Sequence, residues 1–276
     1  MLTYTTLASG SGGNAALVSC GDTHVLLDAG ISARRITAAL RGLGVEPSRL
    51  RGVVVTHEHS DHVAGLATLA KQLRLPVYAT CPTLDRLRPR VPFLEELGRV
   101  FEPGEGFPLG ELWVDSFPTN HDAACSVGYT FTGDGGKAAV ATDLGRLTPE
   151  VLRAAEGCDL LVCETNHDEE RVRTGPYPYP LKERILGPWG HLSNKTGAEL
   201  AARAVAGGAR TVILAHLSAE NNTTELARAA VCRRLAAMGC DPERDISLTV
   251  APRGENGPVF RVGAEADGLC REAAVC

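Results

Sequence analysis

Six consecutive residues, His57-Glu58-His59-Ser60-Asp61-His62, bring three histidines and two carboxylates together. Imidazole nitrogens and carboxylate oxygens crowded in this way are the donor set of a divalent cation. The run Arg51 to Val55 just ahead reads as a buried β-strand, and Val63 to Ala70 just behind reads as a helix. The cluster therefore sits where a strand hands over to a helix. In an extended segment His57 and His59 point the same way, because side chains alternate with period two. Asp61 and His62 fall at the helix start, where Asp61 is also suited to cap it.

Other polar residues of the same kinds follow apolar runs elsewhere. His121 follows Leu112 to Phe117, and Asp143 follows Ala138 to Ala141. Glu164 and His167 follow Leu160 to Cys163, and His216 follows Thr211 to Leu214. His191 stands just ahead of a helix expected to start at Ser193. In layered α/β folds the strand ends line one rim, and sites are built there. His24 lies inside an expected hairpin strand and reads as structural.

The elements that must carry these residues can be read in outline. Strands are expected over Thr3 to Ala8, Ala15 to Ser19, His24 to Leu27, Pro76 to Ala79, Val127 to Phe131, Ile246 to Val250 and Val259 to Val262, besides the runs already named. Ser32, Thr148, Ser193 and either Asn222 or Thr223 are placed to cap helices. Ser9-Gly10-Ser11-Gly12-Gly13-Asn14 is a flexible turn whose backbone N–H groups could face an anion, although no helix follows to make it a phosphate loop. Thr83 to Val100 reads as a charged, proline-interrupted helical region, and Glu169 to Gly190 as irregular. Two strand-rich halves, each with helices, predict an α/β fold of the αββα sandwich type, two facing mixed sheets with helices outside. No linker divides the chain, so one domain is expected over 1–263, with 264–276 as a frayed tail.

Composition narrows the function classes. The 276 residues carry a net charge of −5, so any attraction for a polyanion must be local. No apolar run approaches the roughly 20 residues of a membrane span, and no signal peptide is visible, which predicts a cytoplasmic protein without membrane partners. Nine scattered cysteines without a C-x-x-C pair fit free thiols better than a disulfide framework.

The pattern His57-x-His59-x-Asp61-His62, with His121, Asp143 and His216 at successive strand ends, resembles the metallo-β-lactamase fold hydrolases. Asp28 in Leu26-Leu27-Asp28-Ala29-Gly30 matches that family's first motif. More narrowly, the 8–14 loop, Thr165-Asn166-His167-Asp168, Gly175-Pro176-Tyr177-Pro178, Gly190-His191-Leu192-Ser193-Asn194 and the 215–222 string resemble its WalJ/YycJ-like branch. The resemblance spans about residues 1–262 and implies two divalent metal ions, zinc or manganese. His57, His59 and His121 would hold the first, Asp61, His62 and His216 the second, and Asp143 would bridge them. Asp28 would orient a ligand rather than bind metal. Lactamases of the fold often place a cysteine at the second ion. Here no cysteine follows a fitting strand end, which favours phosphodiester chemistry. A bridging water ionised between two dications would be the nucleophile. Asp61, Glu164 and His191 are the expected catalytic residues, with Glu164 orienting His191 as general acid by analogy with ribonucleases of the fold.

The expected function is a nuclease, DNA exonuclease-like, with DNA favoured over RNA as substrate. The alternative is a small-molecule phosphodiesterase or another hydrolase on the same site. A non-catalytic regulator is disfavoured because no expected ligand is missing. Arg171 to Gly190 interleaves cations and aromatics, which suits phosphate contacts and base stacking. Arg173 and Tyr177 from it, with Ser11, Asn14 and Asn221, are the expected substrate contacts. The interval between Asp143 and Glu164 has room for one helix and one strand, and so for no inserted β-CASP domain.

Overall fold

The apolar runs Ala138-Ala139-Val140-Ala141, Leu160-Leu161-Val162-Cys163 and Val212-Ile213-Leu214 are strand segments buried on both faces. They lack polar alternation because neither face meets water. The computed structural model describes residues 1–263, and the expected tail lies outside the described residues. The chain begins with strands β1 (Leu2–Ala8), β2 (Ala15–Cys20) and β3 (Thr23–Leu27), helix α1 (Ala33–Gly42) and β4 (Leu50–Val54). Then come α2 (Ser60–Val63), α3 (Leu66–Leu73), β5 (Val77–Thr80), α4 (Cys81–Leu87), α5 (Leu94–Leu97) and β6 (Gly98–Phe101). The second half runs β7 (Gly106–Leu109), β8 (Leu112–Pro118), β9 (Val127–Gly133), β10 (Gly136–Ala141), α6 (Pro149–Ala155) and β11 (Leu160–Glu164). It ends with α7 (Glu169–Thr174), α8 (Tyr179–Leu186), α9 (Asn194–Ala206), β12 (Thr211–Ala215), α10 (Thr224–Ala236), β13 (Ser247–Val250) and β14 (Phe260–Val262).

Two seven-stranded sheets form, in the orders β14-β1-β2-β3-β4-β5-β6 and β13-β12-β11-β10-β9-β8-β7. Both are mixed: β3 to β6 pair in parallel, as do β10 to β13, and the remaining pairs are antiparallel. Period-two alternation divides each strand between two cores. Leu160, Val162, Ile213 and Ala215 face inward and pack with Leu2, Tyr4, Val18, Val25 and Leu27 of the other sheet. Leu161 and Cys163 face outward under Val151, Leu200 and Ala204, and Val212 and Leu214 under Ala201, Val231 and Leu235. On the other side Leu26, Val53 and Val77 lie under Ile36, Leu40, Leu66 and Leu69. The αββα sandwich is thus as expected.

The caps also fall as expected. Ser32, Thr148, Ser193 and Thr223 accept from Arg35, Val151, Thr196 and Leu226 N–H respectively. Four details differ from the sequence reading. The helix after the histidine cluster is two short helices, and His59 rather than Asp61 occupies the cap position. The region around Thr83 to Val100 yields two short helices and the strand β6. β7 carries Pro108 inside it, a residue tolerated there because β7 is an edge strand. Glu169 to Gly190 is not irregular but holds α7 and α8. Asp168 caps α7, and Pro180 falls in the first turn of α8, where a missing N–H costs nothing. Among the described residues every cysteine is free, and no helix is long and apolar enough to cross a membrane.

One close backbone crossing sets the shape of the rim. Asn14 N–H donates to Asp61 O at 2.7 Å, Gly30 N–H to Asn14 O at 2.8 Å, and Ala29 N–H to His62 O at 2.7 Å. A Cβ on Gly30 would lie 1.6 Å from Asp61 O, a backbone atom with no room to yield. Gly30→Ala should therefore lower the unfolding free energy by about 3 kcal/mol or more, as overpacking against backbone does. A Cβ on Gly12 meets nothing within 4 Å, and Gly12→Ala should stay within about 0.5 kcal/mol of the parent. Urea titration of the two variants checks both values.

Candidate active site

The ends of β3, β4, β8, β10, β11 and β12 deliver Asp28, His57, His121, Asp143, Glu164 and His216 to one rim. Three of them adopt the left-handed backbone: Asp28 at φ 58°, Asp143 at φ 58° and His216 at φ 56°. Non-glycine residues are uncommon there, and such strain gathers at functional sites. The tertiary contacts hold these turns in place. Asp28 N–H donates to Val54 O at 2.9 Å, and His216 N–H donates to Ser9 Oγ at 2.9 Å.

The donor atoms converge. One atom each of His57, His59 and His121 lies within 4.8 Å of the others, and the same holds for Asp61, His62 and His216. Asp143 joins His57 and His62 in a third such group. Its Oδ2 is 3.3 Å from His62 Nε2, and its Oδ1 is 4.0 Å from His121 Nε2. His57 Nε2 and Asp143 Oδ2 are buried without any hydrogen-bond partner. Such atoms each cost about 1–3 kcal/mol when left unsatisfied, and a divalent cation would satisfy both. The seven expected ligands therefore fit a metal centre.

Most of the imidazoles are held by one nitrogen and present the other. His62 Nδ1 is 2.7 Å from Asp28 Oδ2, and His57 Nδ1 is 3.0 Å from Thr56 Oγ1. His121 Nδ1 donates to Gly190 O at 3.1 Å. This is the usual outer support of metal-binding histidines, which fixes tautomer and ring direction. Asp28 accepts from Thr56 N–H at 2.8 Å and from its hydroxyl at 3.0 Å as well, so it orients His62 from behind.

Glu164 is fully buried, and all its bonds go to the protein. Oε1 lies 2.8 Å from His191 Nδ1 and 3.0 Å from His216 Nδ1. Oε2 accepts from Leu144 and Leu192 N–H at 3.2 and 3.0 Å. His191 is thereby aimed with its other nitrogen outward, and its side chain keeps 20% exposure.

Charge follows the same plan. Burial raises the Glu164 carboxyl, but the His191 and His216 imidazoles outweigh it and hold it far below the ordinary range. Asp61 and Asp143 are likewise lowered against burial, chiefly by His216 and His62. Burial opposes charge on His62, yet Asp143 and Asp28 raise it to about 9. His216 is raised well above its usual value against burial, by Asp143, Asp61 and Glu164. Burial, helped by the neighbouring imidazoles, keeps His57 neutral. A metal ion binds the neutral form of these imidazoles, so it would compete with protons for them.

The expected substrate contacts separate into three groups. Ser11 and Tyr177 line a cleft beside His191. Asn14 sits on the metal-donor cluster, its Nδ2 3.0 Å from His62 Nε2 and 3.3 Å from Asp61 Oδ2. Arg173 is exposed but paired with Glu169 at 2.8 Å within α7, and Asn221 is buried beside Gly175. The other cations of the α7–α8 arm are also engaged: Lys182 on Arg173 O, Arg171 on Glu220 O, Arg184 on Asp122. Sequence reasoning passed over Thr56, Ser9, Asn166 and Asp122. Asn166 Nδ2 donates to His216 O at 2.8 Å, and Asp122 Oδ1 is 3.3 Å from His121 Nε2. For Thr56 and Asp122 the signal was adjacency to His57 and His121. His167 is buried, with Nδ1 unpartnered and its pKa lowered to about 4 by burial.

Comparison with known proteins agrees with this geometry. Residues 23–217 match the beta-lactamase superfamily domain. Exodeoxyribonuclease YycJ of Bacillus anthracis is 36% identical over 241 residues, spanning 86% of this chain and 90% of that protein. Exodeoxyribonuclease WalJ of Streptococcus pneumoniae is 35% identical over 240 residues, spanning 84% and 88%. The solved structure of the metallo-β-lactamase fold protein YhfI from Bacillus subtilis matches with a TM-score of 0.70 at 18% identity, covering 93% of this chain and 99% of that one, a likeness of fold. The chain thus belongs to the beta-lactamase superfamily, within the metallo-β-lactamase-fold branch that includes YycJ and WalJ.

Proposed function

We propose that this protein is a cytoplasmic DNA exonuclease that hydrolyses phosphodiesters with two divalent ions, zinc or manganese, in one hydrolase domain over 1–263. The observation that carries the reading is His191, outside the seven expected ligands and bonded through Nδ1 to the buried Glu164, where both side chains converge with Asp143 and His216 at the edge of the donor cluster. A bare metal site needs no such acid. The similarity to proteins named exodeoxyribonuclease supports DNA as substrate.

His57, His59 and His121 would hold one ion, Asp61, His62 and His216 the other, and Asp143 lies between. Ions bound there would neutralise the phosphate oxygens and acidify the attacking water. The chain's own residues do the rest. Hydrolysis forms one P–O bond to the water oxygen and breaks one P–O bond to the leaving oxygen. The leaving oxygen needs a proton, and His191 supplies it from the nitrogen not bonded to Glu164. Glu164 keeps that ring in the correct tautomer, as the buried carboxylate of a hydrolase triad does. Burial of Glu164, His57 and His216 excludes water from the outer support of the site, which strengthens each of these interactions.

Two outcomes are expected. His191→Ala should lower kcat on DNA by about 10²–10⁴-fold, the usual size of general-acid catalysis. It should lose much less on bis(p-nitrophenyl) phosphate, whose leaving group departs without a proton, and metal content measured by atomic emission should be retained. A fall in bound metal would make His191 a ligand instead. Chelator-treated protein given zinc or manganese at 100 times Kd should gain about 2.7 kcal/mol of unfolding free energy for each ion bound, and so about 5.4 kcal/mol with two independent sites filled. Asp143→Ala should remove most of that gain in the same denaturation assay. As the test of function, end-labelled single- and double-stranded DNA and RNA are incubated with either metal. No cleavage of any nucleic acid would overturn the reading.

A further inference from the structure

One flank of the rim carries cations that no carboxylate cancels. Arg253 Nη2 donates to Leu217 O at 3.3 Å and to Ser218 O at 2.8 Å. Arg35 Nη2 donates to Gly254 O at 3.1 Å, next to Arg253 in the chain. Both arginines are exposed, and neither has an ion-pair partner among the described residues. Glu255, next in the same loop, is exposed and pairs with neither. A carbonyl fixes a guanidinium without cancelling its charge. Only Nη2 is engaged in each, so Nε and Nη1 keep their N–H donors free. Arg34 of α1, one residue before Arg35, is exposed with no side-chain partner among the described residues and adds a third cation.

This flank is joined to the reaction centre through one loop. The Arg253 stem lies against Gly10, where a Cβ would be 3.8 Å from Arg253 Cγ and 3.3 Å from Leu217 O. From Gly10 the chain passes Ser11, which lines the cleft beside His191 together with Ser218. It then reaches Asn14, whose Nδ2 is 3.0 Å from His62 Nε2. The one cation that lines the cleft itself, Arg184, is neutralised by Asp122.

We propose that Arg253 and Arg35 form the track that holds the DNA strand beyond the scissile phosphate, each guanidinium taking one backbone phosphate. The inference rests on the exonuclease reading and assigns the surface that carries the uncut strand. A net charge of −5 gives no general attraction for DNA, so binding needs a local cationic surface. A strand that leaves the donor cluster along the 9–14 loop meets free positive charge first at Arg253 and then at Arg35. A planar guanidinium with two nitrogens free matches the oxygens of a phosphate, and the carbonyl bonds hold that fork in place beforehand.

The test is binding of a fluorescein-labelled single-stranded oligonucleotide to metal-loaded His191→Ala protein, in which cleavage is slow, followed by anisotropy over a salt series. In that background Arg253→Gln and Arg35→Gln should each lower the slope of log K against log salt by about 0.7, the share of one phosphate on a single strand, and so weaken binding about fivefold at about 0.1 M salt. Arg253→Lys, which keeps the charge, should keep the slope. Arg233→Gln removes the same charge from the last turn of α10 and should change neither value. With His191 restored, the ratio of kcat/KM on DNA to that on bis(p-nitrophenyl) phosphate should fall by a similar factor, because the small diester has no second phosphate to place on the track. Metal content and melting temperature are checked in every variant, and should Arg253→Gln not fold, Arg35→Gln decides. An unchanged slope in either folded variant, or an equal fall in Arg233→Gln, would overturn the proposal. If DNA is cut while the slope is unmoved, the track fails and the exonuclease reading stands. If the slopes fall as expected but the metal-loaded parent cuts no DNA, the track stands and the exonuclease reading fails.

Discussion

The site depends on one oxygen atom. Oε1 of Glu164 faces the Nδ1 atoms of both His191 and His216, at 2.8 and 3.0 Å. It thereby fixes the ring of an expected metal ligand and the ring of the expected acid together. A carboxylate can accept several hydrogen bonds at once, and one that is fully buried cannot exchange them for water. The two imidazoles and the carboxylate are consequently a single unit. Their positions relative to the donor cluster are set by the end of β11, not by the flexibility of either histidine.

The same logic repeats around the rim. Asp28 holds His62, Thr56 holds His57, and the Gly190 carbonyl holds His121. Asp28 and the Gly190 carbonyl come from parts of the chain far from the rings they direct, so the site is only as precise as the packing of the two sheets. The inward-facing residues of both sheets form one shared core, which fixes the strand ends against each other. Left-handed turns at Asp28, Asp143 and His216 are local costs that this packing sustains. The crossing at Gly30 is where the 14, 30 and 61 backbones meet without space for a side chain.

The arm formed by α7 and α8 contributes shape more than charge. Its cations are paired with carboxylates or bonded to backbone carbonyls, in keeping with a chain of net charge −5. The arm's aromatic and aliphatic side chains shape the cleft beside the metal-donor cluster. The sequence reading took the same stretch as suited to phosphate contacts, with Arg173 as the named candidate.

Much of this was legible in the sequence, and the reason is local. Strand runs, helix caps and the spacing His57-x-His59-x-Asp61-His62 are determined by period, propensity and neighbours along the chain, so they survive without a structure. The αββα layering follows from two strand-rich halves with helices, while the seven expected ligands came from the resemblance to the metallo-β-lactamase fold hydrolases. The shared role of Glu164, the contacts of Ser9 and Asn166 with His216, and the pairing of Arg184 with Asp122 were not legible, because each joins residues far apart in sequence. β7 and α8 were missed since proline marks breaks along a chain, and only tertiary placement makes it harmless, at a sheet edge or in a first helical turn. The sequence by itself determined which chemical groups arrive at the rim. The tertiary structure decided which nitrogen of most histidines is free and which cations remain available, since those depend on the distance and burial of partners that local sequence does not encode.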